Sequence, residues 1–441
     1  MTNRPVWAAT VAVAVVMVAV LLLRFVLDVA FLLPSPVGDS EFFLTSSVNL
    51  CSSGFFGTSV YPIDPTGQAR MIWHGFVSPM LYSALDVGCS ARGYYLVAWG
   101  IQLLTCAAVV LLARARDLKL LPTLGMALLT LAAQVAIGFR PESVALLLMI
   151  LAEIAVRFRQ PAILGAIAGT LACTQPTVAA MYALTMALLR PELLRRWLPV
   201  ACGAIAAALL LLILYPFPVA DLLTGILLQA KKLIGRADGS LVSYYLLQPA
   251  LPAWGLLLLA AIALAVRKRP MLLLIVPVAW FFGPRVPPVF YNLIPLCILL
   301  VAFCLETCPP RLAGYVGMAS LLVGAAGLGF VSLRDVLTAQ RFGDTYSHTR
   351  SEVAALVASG ANLVHVSSIV ALTNPELEIT NPRRQAHGSA SGRNLSIVAV
   401  NGAPQAPCVA ETRDVSLKMG SIRLFNSNSG WMIYVCPDPG S

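Results

Sequence analysis

The sequence predicts an all-α polytopic membrane bundle followed by a small extracytoplasmic C-terminal domain of α+β or β type. Three observations carry that prediction. Hydrophobic residues make up 59% of the chain and charged residues 11%, whereas a soluble globular domain is about one quarter charged. The apolar residues gather into about eleven runs of helical length, a pattern that needs lipid as its solvent. Beyond residue 333 the pattern changes to short β-prone runs divided by Gly, Asn and Pro turns.

The runs fall at roughly 6–27, 94–113, 120–138, 142–156, 161–174, 177–189, 197–215, 246–266, 271–283, 289–305 and 311–333. Several are shorter than the ~20 residues that cross a bilayer core, so tilted, broken or re-entrant helices inside a bundle are expected. The first run is too long for a signal-peptide core and lacks a small-residue cleavage site before Pro34, so it reads as an uncleaved anchor.

Four basic clusters orient the bundle. They are Arg114, Arg116 and Lys119; Arg157 and Arg159; Arg190, Arg195 and Arg196; and Arg267, Lys268 and Arg269. Short Lys/Arg-rich loops stay on the cytoplasmic side. All four clusters are cytoplasmic only if 161–189 crosses twice, turning near Thr174-Gln175-Pro176. About eleven passes then result, with the N-terminus inside and the tail outside, in an inner (plasma) membrane protein. The net charge of +10 belongs to these topology signals and to lipid phosphates, and nucleic acid is not an expected partner.

This orientation divides the chain into a transmembrane domain over 1–333, with its first extracytoplasmic loop at 34–93, and a C-terminal domain over 334–441. Other outer pieces are the turn at 138–142, a loop at 216–245, and Gly283-Pro284-Arg285-Val286-Pro287-Pro288. The tail's nine basic and eight acidic residues nearly cancel. Cys51 and Cys89 share the first loop, and Cys408 and Cys436 share the tail. Each couple is a possible disulfide in an oxidising compartment. No CxxC or Cys/His spacing suggests a zinc site, and neither a metal site nor a cofactor is implied.

The chemistry-bearing residues lie on the outer pieces. Asp39 and Glu41 form a carboxylate pair just past the first run, in Gly38-Asp39-Ser40-Glu41. Trp73 and His74 open a short amphipathic stretch suited to the membrane interface. The turn Arg140-Pro141-Glu142 places two charges at a membrane boundary, and Lys231, Lys232, Arg236 and Arg285 add cations on the same face. Structural roles also suit these residues. Asp39 fits an N-cap for a helix starting near Ser40, and Glu41 a first-turn acid. Arg140 and Glu142 suit a surface pair, and Lys231, Lys232 and Arg236 suit headgroup contacts.

Three segments together resemble the GT-C superfamily of polyprenyl-phosphate-sugar glycosyltransferases, in the branch of protein O-mannosyltransferases and lipid A aminoarabinose transferases. They are Gly38-Asp39-Ser40-Glu41, then His74-Gly75-Phe76-Val77-Ser78-Pro79-Met80-Leu81, then Arg140-Pro141-Glu142. The resemblance covers about residues 1–305. The chain departs from the family pattern in three ways. Ser40 separates the two acids, the double proline after His74 is missing, and Gln175 stands in Thr174-Gln175-Pro176 where many relatives carry a lysine.

The resemblance implies a glycosyltransferase, a hexosyl- or pentosyltransferase, that moves a sugar from a polyprenyl-phosphate-linked donor to an extracytoplasmic lipid, glycan or protein. The acceptor hydroxyl needs a carboxylate base, and the lipid-phosphate leaving group needs cations. A single base serves an inverting displacement. On this reading Asp39 and Glu41 are catalytic. Arg140, Lys231, Lys232, Arg236, Arg285 and Tyr291 contact the donor phosphate, and His74, Trp73 and Glu142 contact the acceptor or sugar. The alternatives are an O-antigen ligase- or polymerase-like enzyme and a transporter or flippase of lipid-linked sugars. A transporter needs facing charges at mid-depth, in which the apolar runs look poor. The ligases carry their large loop late in the helix series, whereas here it follows the first helix.

Overall fold

A computed structural model describes residues 15, 18–32, 39–57, 70–72, 75–138, 140–235, 250–274, 289–342, 355 and 358, together with strands at 362–366, 394–399, 409–410 and 431–436. The described residues are mainly helical. Helix α1 covers 18–25 and continues as the π-helical turn Val26–Ala30. It is followed by α2 (Asp39–Ser53), α3 (Val77–Leu85), α4 (Ala91–Ala115), α5 (Leu120–Ile137), α6 (Pro141–Arg157), α7 (Pro161–Thr174) and α8 (Pro176–Leu189). A 3₁₀ turn, Pro191–Arg196, leads to α9 (Trp197–Leu214) and α10 (Val219–Gly235). After α11 (Ala250–Lys268) and a 3₁₀ turn at Pro270–Leu274 come α12 (Val289–Thr307) and α13 (Pro310–Phe342).

Four of these helices are long and apolar enough to cross a membrane: α4, α5, α9 and the Pro310–Leu337 part of α13. Shorter apolar helices occur at Pro161–Thr174, Pro176–Leu189 and Ile294–Thr307. Prolines at the first position of α6, α7 and α8 set these starts, because a proline's fixed φ suits N1 and its missing N–H costs nothing there.

The chain forms two compact units. The first comprises Met1–Leu21, Ile72–Leu81 and Gly100–Val331, and the second Leu22–Met71, Tyr82–Trp99 and Ser332–Ser441. In the first unit α12 is central, with every residue from Ile294 to Leu305 buried. Its apolar neighbours come from α5 (Leu129, Leu131), α11 (Trp254, Leu257) and α13 (Val316, Leu328). A second apolar cluster joins α6, α7 and α8 through Met149, Leu171, Val178 and Tyr182.

Helix α9 buries no residue. It exposes Ile205, Leu209, Leu210, Ile213 and Leu214, as a helix bathed in lipid does. It holds to α7 through small residues. A Cβ built on Gly165 would lie 2.1 Å from the Val200 carbonyl oxygen, and one on Gly169 would lie 2.2 Å from that of Ala204. This is the close backbone approach that a small-xxx-small face permits in a membrane. A similar approach joins α5 to α13, where a Cβ on Gly125 would stand 2.3 Å from the Gly317 carbonyl oxygen.

In the second unit α2 is buried from Phe42 to Val48. Its C-terminal end is tied down by a Cys51–Cys89 disulfide with Cα atoms 5.2 Å apart. Asn49 Nδ2 donates to the Gly57 carbonyl at 2.9 Å, and Gly57 pairs with Arg70 in an antiparallel bridge. Asp86 holds the turn before α4, its carboxylate accepting from the Gly88 and Ser90 amides, each at 3.0 Å, and Ser90 Oγ caps the helix by accepting from the Gly93 amide at 3.1 Å. Only glycine fits at 93, because a Cβ there would fall 1.8 Å from Asp86 Oδ1.

The strands of the tail form one sheet in the order β1-β2-β4-β3, where β1 is Asn362–Val366, β2 Asn394–Ala399, β3 Val409–Ala410 and β4 Trp431–Cys436. β1 runs parallel to β2 with a register shift between Leu363 and His365. β4 is antiparallel to both β2 and β3.

Candidate functional site

Three distant stretches of the first unit meet at the N-terminus of α6. Pro141 starts the helix after Arg140, whose extended backbone (φ −83°, ψ 156°) is that of an N-cap. Glu142 falls in the first turn, where a carboxylate complements the helix dipole. The apolar stretch 161–189 breaks at Gln175, which is extended (φ −152°, ψ 93°) between the end of α7 and Pro176 of α8. That break brings the Gln175 side chain to Glu142. The third stretch is the turn before α3. Gly75 there has φ +87°, a conformation that favours glycine. A Cβ on it would lie 2.8 Å from Pro141 Cγ and 3.2 Å from the Thr174 carbonyl oxygen.

Glu142 is fully buried, and its carboxylate is held from two sides. Arg140 Nε donates to Oε2 and Nη2 to Oε1, both at 3.2 Å. Gln175 Nε2 donates to Oε1 at 2.9 Å. With both oxygens engaged, Glu142 acts as a positioning group more readily than as a proton acceptor. Gln175 Oε1 is buried and has no hydrogen-bond partner among the described residues. It is an acceptor ready for a hydroxyl, since a buried polar atom left unpaired is costly. Ser78 Oγ, in α3, is buried in the same condition.

Behind this cluster a polar chain runs into the bundle. Ser143 Oγ donates to Gln134 Oε1. Gln134 Nε2 donates to Thr105 Oγ1 at 2.8 Å and to the Ser143 carbonyl at 3.0 Å. It fastens α4, α5 and α6 together just beneath Glu142.

Further packing fixes the segment before α3. The Phe76 and Tyr215 rings sit 4.7 Å apart. A Cβ on Gly225 of α10 would lie 1.9 Å from the Ile72 carbonyl oxygen. Thus α10, which carries Lys231 and Lys232 toward its end, lies against the segment that leads to Gly75.

The other candidates stand as follows. Asp39 and Glu41 occupy the first turn of α2 in the second unit. Lys231, Lys232 and Tyr291 are helical in backbone. The side chains of these five residues lie outside what the structure describes. Trp73, His74, Arg236, Arg285 and Cys408 lie outside the described residues altogether.

Several polar residues find their partners only in the structure. Gln175 and Gln134 are the nearest to the site. The sequence marks Gln175 as a departure from the resembled family's pattern and Gln134 as an isolated polar residue in an apolar run, but neither one's partner. Within the second unit, Arg24 is buried in the first apolar run and pairs with Asp28 and Asp335. At the far end of α6, Arg116 pairs with Glu153, and Arg190 lies 3.0 Å from Glu306. No group of three metal-ligating side chains occurs among the described residues.

Comparison of the chain with protein-family models, curated proteins and solved structures finds no match. Among the described residues the fold is that of a helical membrane protein, with an Arg140–Glu142–Gln175 cluster where its broken helix pair meets the turn before α3.

Proposed function

We propose that the chain is a membrane glycosyltransferase that moves a sugar, with inversion, from a polyprenyl-phosphate-linked donor to an extracytoplasmic acceptor. The observation that carries this reading is the packing of Gly75 against Pro141 and Thr174. It joins Gly75 and Phe76, the Arg140-Pro141-Glu142 turn and the Thr174-Gln175-Pro176 break, which lie far apart in sequence. These are three of the segments on which the family resemblance rests or from which it departs.

The roles follow from the chemistry. Asp39 is the base that takes the acceptor hydroxyl's proton, with Glu41 beside it. Arg140, Lys231, Lys232, Arg236 and Arg285 balance the charge that grows on the leaving phosphate, and Tyr291 donates to it. Gln175, which stands where many members of the resembled family carry a lysine, offers an amide oxygen for a sugar or acceptor hydroxyl. His74 and Trp73 border the acceptor, and Glu142 holds Arg140 and Gln175 in place. Eleven spans, a cytoplasmic N-terminus and an extracytoplasmic sheet-bearing tail complete the reading. A Cys51–Cys89 disulfide supports an outer position for the first loop.

A flippase would call for charges facing one another at mid-depth. The buried pairs among the described residues lie toward helix ends instead: Glu153, paired with Arg116, sits one turn from the end of α6, and Asp335, paired with Arg24, lies two residues from the end of the apolar span Pro310–Leu337.

The test is to supply the purified full chain, in lipid nanodiscs, with a panel of radiolabelled polyprenyl-phosphate sugars. One donor is expected to be consumed, with polyprenyl phosphate released. Movement of a labelled donor across sealed liposomes without cleavage would replace this reading with the transporter one.

A further inference from the structure

The end of the first unit opposite Glu142 holds a cavity of about 520 Å³. Glu142 and Glu153 are both on α6, eleven residues and so about 16 Å apart along the axis. The cavity is lined by arginines from three helix ends: Arg116 after α4, Arg157 and Arg159 at the end of α6, and Arg190, Arg195 and Arg196 after α8. Its lining carboxylates are Glu192 and Glu306, and Glu153 stands behind Arg116.

The inner wall is neutralised. Arg116 pairs with Glu153 and is 3.5 Å from Glu306, while Arg190 is 3.0 Å from Glu306 and 3.6 Å from Glu153. Tyr182 Oη also donates to Glu153, at 3.3 Å. The outer wall is not neutralised. Arg157, Arg159, Arg195 and Arg196 face it with Glu192 as the one lining acid there, and none of the four makes an ion pair among the described residues. Arg157 Nε is fixed by the Ala115 carbonyl at 2.7 Å.

Arg159 reaches the cavity from the turn that ends α6. It has φ +55°, and the turn is closed by Arg159 N–H to the Val156 carbonyl at 3.1 Å and Gln160 N–H to the Ala155 carbonyl at 2.9 Å, a common helix C-terminus that α4 repeats at Asp117. Exposed Phe158 and Trp197 flank the cavity in sequence and suit a membrane interface.

We propose that this cavity binds an anionic phosphate group, carried either by a lipid headgroup of the adjoining leaflet or by a soluble phosphate. A guanidinium matches phosphate oxygens with paired N–H donors. Four such groups around one partly enclosed volume, with Glu192 as the one carboxylate set against them, leave a surplus of three positive charges that fits a doubly or singly charged phosphate. The site is separate from the proposed sugar-transfer site and does not depend on it.

The test uses the full chain in nanodiscs of phosphatidylcholine and phosphatidylglycerol in equal parts, with retained lipid read by native mass spectrometry. Pyrophosphate binding is read in parallel by calorimetry in detergent. Phosphatidylglycerol is expected to be retained over phosphatidylcholine about tenfold, or pyrophosphate to bind, and either preference should weaken with salt. Pyrophosphate that displaces the lipid assigns the site to a soluble phosphate, and lipid that resists displacement assigns it to a headgroup.

Two triple variants separate recognition from topology. Replacing Arg159, Arg195 and Arg196 by Gln should abolish the preference. Replacing the same three by Lys keeps the charges that orient the helices but loses the paired donors, and should reduce it severalfold. A wild-type chain that neither prefers phosphatidylglycerol nor binds pyrophosphate overturns the proposal. So does a Lys variant and a Gln variant that both bind as the wild type does.

Discussion

Arg24 and Asp335 stand 311 positions apart in sequence, and Arg24 Nη1 donates to Asp335 Oδ2 at 2.8 Å with both side chains buried. Asp28, one turn on in the first helix, takes the other end of the same guanidinium, and Arg334 lies 2.8 Å from Asp335 Oδ1. Among the described residues two cations and two carboxylates thus meet in the second unit. Buried charge survives only when paired. Asp335→Asn should lower stability by roughly 3–5 kcal/mol, because it strands part of the Arg24 charge. Thermal unfolding in detergent measures this. The triple variant Arg24→Met/Asp28→Leu/Asp335→Leu, which leaves neither buried acid without its arginine, should recover much of the loss. A triple variant as unstable as Asp335→Asn would show that the buried charge cluster is not the reason.

The α7–α9 contact makes a sharper packing prediction. Gly165 and Gly169 each approach a backbone carbonyl of α9 too closely for any Cβ, so Ala at either site must push the helices apart. A loss of about 1–3 kcal/mol is expected from such overpacking. Gly314, in α13, has nothing within 4 Å of a built Cβ. Gly314→Ala should be neutral or stabilise by about 0.5–1 kcal/mol through helix propensity. Equal unfolding temperatures for the three Ala variants would deny the α7–α9 contact its role.

The Cys51–Cys89 bond closes a loop of 38 residues. In the chain-entropy account such a link is worth about 3–4 kcal/mol. Peptide mapping without reductant should find the two cysteines joined. Cys51→Ser/Cys89→Ser should then unfold at a lower temperature, and reductant should lower the wild type to match. Free thiols at both positions in protein taken from the membrane would also count against an outer first loop.

Much of the helical framework is legible in the sequence because lipid demands long apolar runs and proline and glycine punctuate them. The break of 161–189 at Thr174-Gln175-Pro176 is read from charge placement alone and falls at Gln175 in the structure. Helix α10 is hidden in what reads as a loop at 216–245. Its apolar positions Val219, Leu222, Leu223, Ile226 and Leu227 do keep helical spacing. Periodicity was present there, but the run is too polar to register as a span. Arg24 is hidden for the opposite reason. A single charge in an apolar run looks incidental until its partner, more than three hundred residues away, is known. The Gln134–Ser143–Thr105 chain is likewise invisible in sequence, since each member alone is an ordinary polar residue in a helix. The acids Asp39 and Glu41 are legible as chemistry, while their neighbours in space are not a property of sequence at all.

The catalytic prediction concerns those two acids. Both lie in the first turn of α2, where a carboxylate is also a normal helix-start residue. The two roles respond differently to an amide. Asparagine caps a helix as well as aspartate does, so a purely structural Asp39 tolerates Asp39→Asn. A general base does not, because the amide cannot take the acceptor's proton, and the expected loss is on the order of 10²–10⁴ in transfer rate. Asp39→Asn should therefore unfold at the wild-type temperature, retain the donor, and transfer almost no sugar. Glu41→Gln should lose far less if Glu41 only supports its neighbour. Glu142→Gln sets the contrast: it weakens the hold on Arg140 and Gln175, so donor use should suffer through KM as well as kcat. A dead Glu41→Gln with an active Asp39→Asn moves the base to Glu41. Full activity in both variants removes the acidic pair from the reaction, and with it the proposed mechanism.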